Sequence, residues 1–209
     1  MIKKFKLFES DKTPWDIHSI CKEYRIKGYD INTDGSISVD GDVDLSDRSL
    51  KRIPLVFKEV SGDFYCSYNQ LTSLEGCPER VGGRFICSNN QLKSLRGCPE
   101  KVSGNFLCHH NNLTNLEGCP DARGIHCYNN QITSFEGIPE FWEGQLYISN
   151  NPVDEIFKLF NRDIRCIDLI NEFDVIQGDK VSRDRLEEVF SHLDMEIPKN
   201  IKLKEYILT

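Results

Sequence analysis

Nowhere in the 209 residues does an apolar run approach the ~20 residues that cross a bilayer. The N-terminus, MIKKFKLFES, has no apolar stretch of the kind a secretion signal carries, so a cytoplasmic setting is expected. Clustered basic charge is scarce too. Outside Lys3, Lys4 and Lys6 no group of Lys and Arg gathers, and 26 basic against 33 acidic residues leave a net charge of −7. Nucleic-acid backbones and anionic membranes reward clustered cations, so neither is expected as a partner. Also missing are a Ser/His/Asp order, a phosphate-binding glycine loop and a paired-carboxylate pocket. No cofactor is called for, and oligomeric state is left open. Nine cysteines is a high but odd number, which fits a reducing compartment better than a disulfide framework.

What the sequence does contain is a repeat with a period of 21. LTSLEGCPERVGGRFICSNNQ (71–91) is followed by LKSLRGCPEKVSGNFLCHHNN (92–112), then by LTNLEGCPDARGIHCYNNQ (113–131), shorter by two. ITSFEGIPEFWEGQLYISNNP (132–152) is a diverged copy, and LKRIPLVFKEVSGDFYCSYNQ (50–70) keeps the register upstream. Apolar columns result: Leu50, Leu71, Leu92, Leu113, Ile132 and Val153; Ile53, Leu74, Leu95, Leu116, Phe135 and Ile156; Val43, Phe64, Phe85, Phe106, Ile125 and Leu146. Another column reads Leu45, Cys66, Cys87, Cys108, Cys127 and Ile148, and three residues on stands Asn69, Asn90, Asn111, Asn130 and Asn151. In a strand, alternate residues such as Phe85 and Cys87 point inward while Ile86 and Ser88 point out. A buried Asn in every turn can satisfy backbone groups of adjacent turns, which an apolar residue cannot.

The segment F-x-C-x-x-N-x-L matches the last eight positions of L-x-x-L-x-L-x-x-N-x-L, and N-x-L-T-x-L-x-x-C-P resembles the repeats of bacterial leucine-rich-repeat proteins, including type III secretion effectors. S-L-E-G-C-P, V-G-G-x-F, C-S-N-N-Q and the lead-in I-N-x-D-G-S-I-x-V-D-G-D-V-D-L-S look closer still to leucine-rich-repeat proteins of tailed bacteriophages. The resemblance covers about residues 1–156. It implies an α/β repeat: a leucine-rich-repeat solenoid with a parallel β-sheet on one face, an N-terminal helix and hairpin cap over 1–36, repeats over 37–152 and a C-terminal helical cap over 153–209. It also implies phage origin, and says little about function.

A stack of strands has open ends that terminal units must hide. Thr13-Pro14 predicts a helix start that aims Trp15, Ile20 and Tyr24 at the stack, and Asp34-Gly35 predicts a hairpin turn. After Asn151-Pro152, DEIFKLF permits helix. Further helices are expected near 163–175 and 183–192, the latter capped by Ser182, then a short irregular tail.

Candidate chemistry is sparse. Seven of the nine cysteines (Cys66, Cys77, Cys87, Cys98, Cys108, Cys119 and Cys127) stand in repeat columns where free Cys acts as a small buried hydrophobe. His109, His110 and His126 alternate outward from them, which argues against a shared metal site. Asp30–Ser38 reproduces nine positions of a calcium loop, yet the twelfth is Gly41 and a strand pattern follows, so a turn is the simpler reading. Cys166-Ile167-Asp168 has the C-x-D of effector ligases, but the C-terminal segment is too short for their ligase domain, and packing is the expected role. Leu7-Phe8-Glu9 has the L-x-E form cleaved by prohead proteases of T4-like phages, which leaves a virion component as an alternative. Docking of Phe5, Leu7 and Phe8 on the first repeat is the competing explanation.

The outward strand positions form one face free of the repeat's own packing. We expect a non-catalytic protein-binding module that engages its partner through Tyr65, Tyr68, Ile86, Leu107, His109, His110, His126, Tyr128 and Tyr147. In a phage setting that partner is a host or phage protein, such as a defence factor inhibited by occlusion.

Overall fold

A computed structural model of the protein describes residues 14–140 and 142–209, with the side chains of Pro14 and Trp15 excepted. The expectations for Phe5, Leu7, Phe8, Glu9, the Thr13 cap and the Trp15 ring lie outside the described residues. Helix α1 (Pro14–Glu23) carries Asp16 in its first turn and Lys22 in its last, both favourable to the helix dipole. It buries Ile17 and Cys21, one turn apart, while Ile20 and Tyr24 are only half-buried against the core. The expected inward stripe is therefore shifted round the helix. Strands β1 (Tyr29–Ile31) and β2 (Ile37–Val39) form the antiparallel hairpin expected at Asp34-Gly35, with Gly35 at φ 80°.

From β2 onward the chain coils, and each early coil contributes a rung to two parallel ladders. One sheet of six strands runs β3 (Val43–Asp44), β5 (Phe64–Tyr65), β7 (Phe85–Ile86), β9 (Asn105–Leu107), β10 (Gly124–His126) and β11 (Gln145–Tyr147). The second joins β1 and β2 to β4 (Phe57–Val60), β6 (Arg80–Val81) and β8 (Lys101–Val102). The register is that of the 21-residue repeat: Phe64 pairs with Phe85, Phe85 with Phe106, Phe106 with Ile125 and Ile125 with Leu146. The protein is thus a parallel-strand β-solenoid. The single sheet expected from the sequence is corrected to two, because the bend at Ile53-Pro54 or at G-C-P is followed by a second short rung ending on Val60, Val81 or Val102, all buried.

The core between the ladders is a column of rings and thiols. Phe57 meets Phe64 edge-on at 5.1 Å between centroids, and Phe85 stacks on Phe106 at 5.8 Å and 10°. Cys66, Cys87, Cys108 and Cys127 are fully buried, and all nine cysteines are free thiols. Parallel side chains in one column do not converge on each other as a disulfide requires.

The buried asparagines behave as their position predicts. Asn90 Oδ1 accepts from Leu71 N–H at 3.0 Å, and its Nδ2 donates to the carbonyls of Cys66 and Cys87, both at 3.0 Å. Asn111, Asn130 and Asn151 repeat the pattern on the next rungs. Each amide ties three backbone groups at the bend, and carbonyls such as Cys66 O and Cys87 O accept from two successive asparagines.

Beyond the last rung come α2 (Asp154–Leu159), α3 (Arg165–Glu172) and α4 (Arg183–His192), the last with Ser182 accepting from Arg185 N–H. One hydrophobic cluster extends from Ile17 through the solenoid to Phe160 and Phe190. The buried Asp154 carboxylate is neutralised by Lys158 and Arg162, each at 2.8 Å. The tail expected to be irregular instead returns a strand. β14 (Ile207–Leu208) pairs in parallel with β13 (Lys180–Val181), which pairs with β12 (Ile176–Gln177). Among the described residues no helix is long and apolar enough to cross a membrane.

Candidate interaction face

The six-stranded sheet sets the outward side chains in three rows. The middle row is Asp44, Tyr65, Ile86, Leu107, His126 and Tyr147, aligned by strand register. The second is Ser67, Ser88, His109, Tyr128 and Ser149, aligned by backbone bonds such as Asn89 N–H to His109 O and His110 N–H to Tyr128 O. The third is Tyr68, Asn89, His110, Asn129 and Asn150, whose φ values lie between 55° and 57°. Asn tolerates this left-handed conformation because its short amide bonds locally; a Tyr or His held there carries backbone strain.

The nine residues expected to bind a partner all stand in these three rows, and their surroundings differ along the sheet. At the N-terminal end the polar groups satisfy one another. Tyr65 OH donates to Asp63 Oδ2 at 2.7 Å, and Arg84 Nη2 reaches both that oxygen and the phenol oxygen at 2.8 Å. The bond to Asp63, with burial, pushes the Tyr65 phenol above its ordinary value. Burial works against ionisation of Asp63, but the Arg84 bonds outweigh it and hold the carboxyl below its usual range.

Ile86 is a correction. It lies outside the core cluster yet is only 8% exposed, because rungs about 4.8 Å apart place Tyr65 and Leu107 on either side of it. Ser67 and Ser88, also read as outward, are buried for the same reason.

At the C-terminal end the rings converge. His109 stacks on Tyr128 at 4.3 Å and 7°, and His126 on Tyr147 at 4.3 Å and 21°. His110 stands edge-on to Tyr128 at 5.6 Å and to His109 at 5.3 Å. Carboxamides border these rings: Asn129 Nδ2 lies 3.1 Å from His110 Nε2, Asn150 Nδ2 donates to Asn129 Oδ1 at 2.7 Å, and Asn105 Nδ2 lies 3.5 Å from His126 Nε2. Tyr147 OH donates to Gln145 Oε1 at 3.1 Å. Asn129 and Asn150 share the outward row of His110, a position legible from the repeat, but were not among the nine residues expected to bind. Leu107 is half-buried beside this group; Tyr147 and Tyr68 are 45% and 64% exposed.

Electrostatically the face is divided. Asp42, Asp44, Asp47 and Asp63 face one cation, Arg84, over the first three rungs, whereas the outward positions of the last three carry no Asp, Glu, Lys or Arg. Burial holds His109 neutral, and His110 and His126 add to the effect, lowering its pKa from 6.5 to about 4. Burial likewise lowers His126. His109 Nδ1 is enclosed and has no hydrogen-bond partner among the described residues.

Other chemistry is weakly supported by position. Among the described residues no group of three or more His, Cys, Asp or Glu could hold a metal ion. In the calcium-like loop, Asp34 Oδ1 accepts from Ser36 N–H and Oγ, and Asn32 Nδ2 donates to Ser36 and Ser38 hydroxyls, so these groups serve the turn. Cys166 is fully buried in α3, and burial, with Asp163 and Asp168 adding to it, pushes its thiol far from the thiolate that nucleophilic attack needs. No family model, no curated protein and no solved structure matches the chain.

Proposed function

We propose that this solenoid is a leucine-rich-repeat-type protein-binding module, closed by its terminal helices, that engages a protein partner through the outward face of the six-stranded sheet without catalysing a reaction. The observation that carries the reading is the uncharged patch of His109, His110, His126, Tyr128 and Tyr147, stacked in two ring pairs and bordered by Asn and Gln amides. Such rings present large, rigid, half-desolvated area with polar rims, which is the composition of interface hot spots. Tyr68 and His110 strengthen the case. Both sit in the left-handed conformation that Asn occupies on neighbouring rungs, at a cost of about 1–2 kcal/mol relative to relaxed backbone, and Tyr68 recovers little of it by burial. In the phage setting suggested by the repeat motifs, the partner is a bacterial cytoplasmic protein whose own working surface is covered.

Affinity capture from bacterial lysate followed by mass spectrometry tests the reading, comparing wild type with Tyr128→Ala/Tyr147→Ala. Specific enrichment of one protein, lowered about tenfold or more in the double variant (~1.4 kcal/mol), is expected. Equal enrichment by both forms contradicts it.

A further inference from the structure

Among the described residues the six-stranded ladder stops at β11 with no strand paired on its far side. Gln145 N–H donates back to Arg123 O, and Tyr147 O accepts from Cys127 N–H, so both of these residues face β10. By strand alternation the N–H and C=O of Leu146 face outward from the last rung, as those of Phe64 face β7. Among the described residues neither Leu146 N–H nor Asn150 N–H has an acceptor, although the equivalent amides of Phe64 and Asn129 donate to the next rung.

The side chains repeat this vacancy. Leu146 belongs to the column of Val43, Phe64, Phe85, Phe106 and Ile125, all 1% exposed or less, yet it is only half-buried. Tyr147 stacks one ring face on His126, and the ladder supplies no ring for the other. Backbone, apolar column and ring stack therefore all end at one seat that a further rung would fill.

Charge selects what fits there. Exposed Glu143 precedes β11, and Glu205 shares a pocket of about 320 Å³ with Asn150 and Pro152 at the other end. A second copy of this chain, at net charge −7, is a poor occupant, and β11 offers three residues where a stable dimer takes about 20–30 a side. We propose that β11 receives an extended segment of a partner protein as a further parallel rung, with an apolar side chain on Leu146, a planar side chain on Tyr147 and cationic residues beside Glu143 and Glu205. This seat lies at the sheet's edge and does not depend on the strand-face reading.

The probe is a synthetic peptide copying residues 143–152 with Lys in place of Glu143 and Pro152, added to the full chain and followed by amide exchange and NMR shifts. In the free protein the Leu146 amide should exchange quickly while that of Cys127 is protected. Saturating peptide should slow Leu146 about tenfold or more, an otherwise identical peptide ending in Glu should bind about tenfold more weakly, and Leu146→Lys should abolish binding while Tyr128→Ala preserves it. A Leu146 amide as protected as that of Cys127 without peptide, no response to the Lys peptide, equal binding of the two peptides, or binding retained by Leu146→Lys each overturns the proposal. A free protein that is dimeric, with Leu146 protected, assigns the edge to a second copy and overturns it as well.

Discussion

Replacing Asn90 by Leu keeps the branched outline of a somewhat larger side chain and removes the amide that ties its own rung to the preceding one. Asn90 is 9% exposed, so water cannot fully take over its role at Leu71 N–H, Cys66 O and Cys87 O. The two carbonyls keep the side-chain amides of Asn69 and Asn111, each at 3.1 Å, whereas the Leu71 amide has no second acceptor among the described residues. Leaving a buried donor unpaired costs about 1–3 kcal/mol, and each lost carbonyl bond about 0.5–1.5, which together give a loss of about 3 kcal/mol. At roughly 2–4 °C per kcal/mol for a chain of this size, Tm should fall by about 6–12 °C. Urea denaturation followed by circular dichroism reads the same quantity, with Gln91→Ala, an exposed neighbour, as the control expected within about 0.5 kcal/mol of wild type. An Asn90→Leu protein as stable as that control would show that the asparagines are not what closes the bends.

Phe85→Ala removes the ring between Phe64 and Phe106 and should cost about 3–5 kcal/mol in the same assay; a loss below ~1 kcal/mol would contradict close stacking. His109 makes stability pH-dependent. Its folded value of about 4 lies below the ordinary 6.5, so the unfolded chain binds more protons between those values, and stability present above pH 6.5 is lost as pH falls toward about 4. The His109→Gln protein should show a flatter profile over that window, and an NMR titration placing the wild-type imidazole midpoint near 6.5 would refute the burial argument. The thiols of Cys66, Cys87, Cys108, Cys127 and Cys166 should react with a disulfide reagent only as the protein unfolds, and rapid labelling of any of them in the native state would place it wrongly in the core.

The inward half of the solenoid is legible in the sequence because stacking forces each column to repeat. Phe85, Cys87 and Asn90 recur every 21 residues, and the structure pairs them in that register. The second ladder is not legible, since Arg80–Val81 and Lys101–Val102 are two-residue rungs beside glycines and read locally as turns. Nor is the covering of Ile86, which depends on the size of residues 21 positions away on each side. The closing strand Ile207–Leu208 has its partner at Lys180–Val181, too far along the chain for a local pattern. The rings of the candidate patch stood out by composition, and the column register across the shortened third repeat already sets His109 beside Tyr128 and His126 beside Tyr147; the face-to-face stacking of each pair depends on side-chain rotamers that no column encodes.

The most direct measurement is residue-level surface labelling of Tyr, His and Lys with and without the captured partner. If the last three rungs are the docking surface, Tyr128, Tyr147 and His110 should lose labelling when the partner is present, while Lys58 and Lys101 on the opposite sheet stay unchanged. Protection of those lysines with the three rings still labelled would place the interface on the other side of the solenoid.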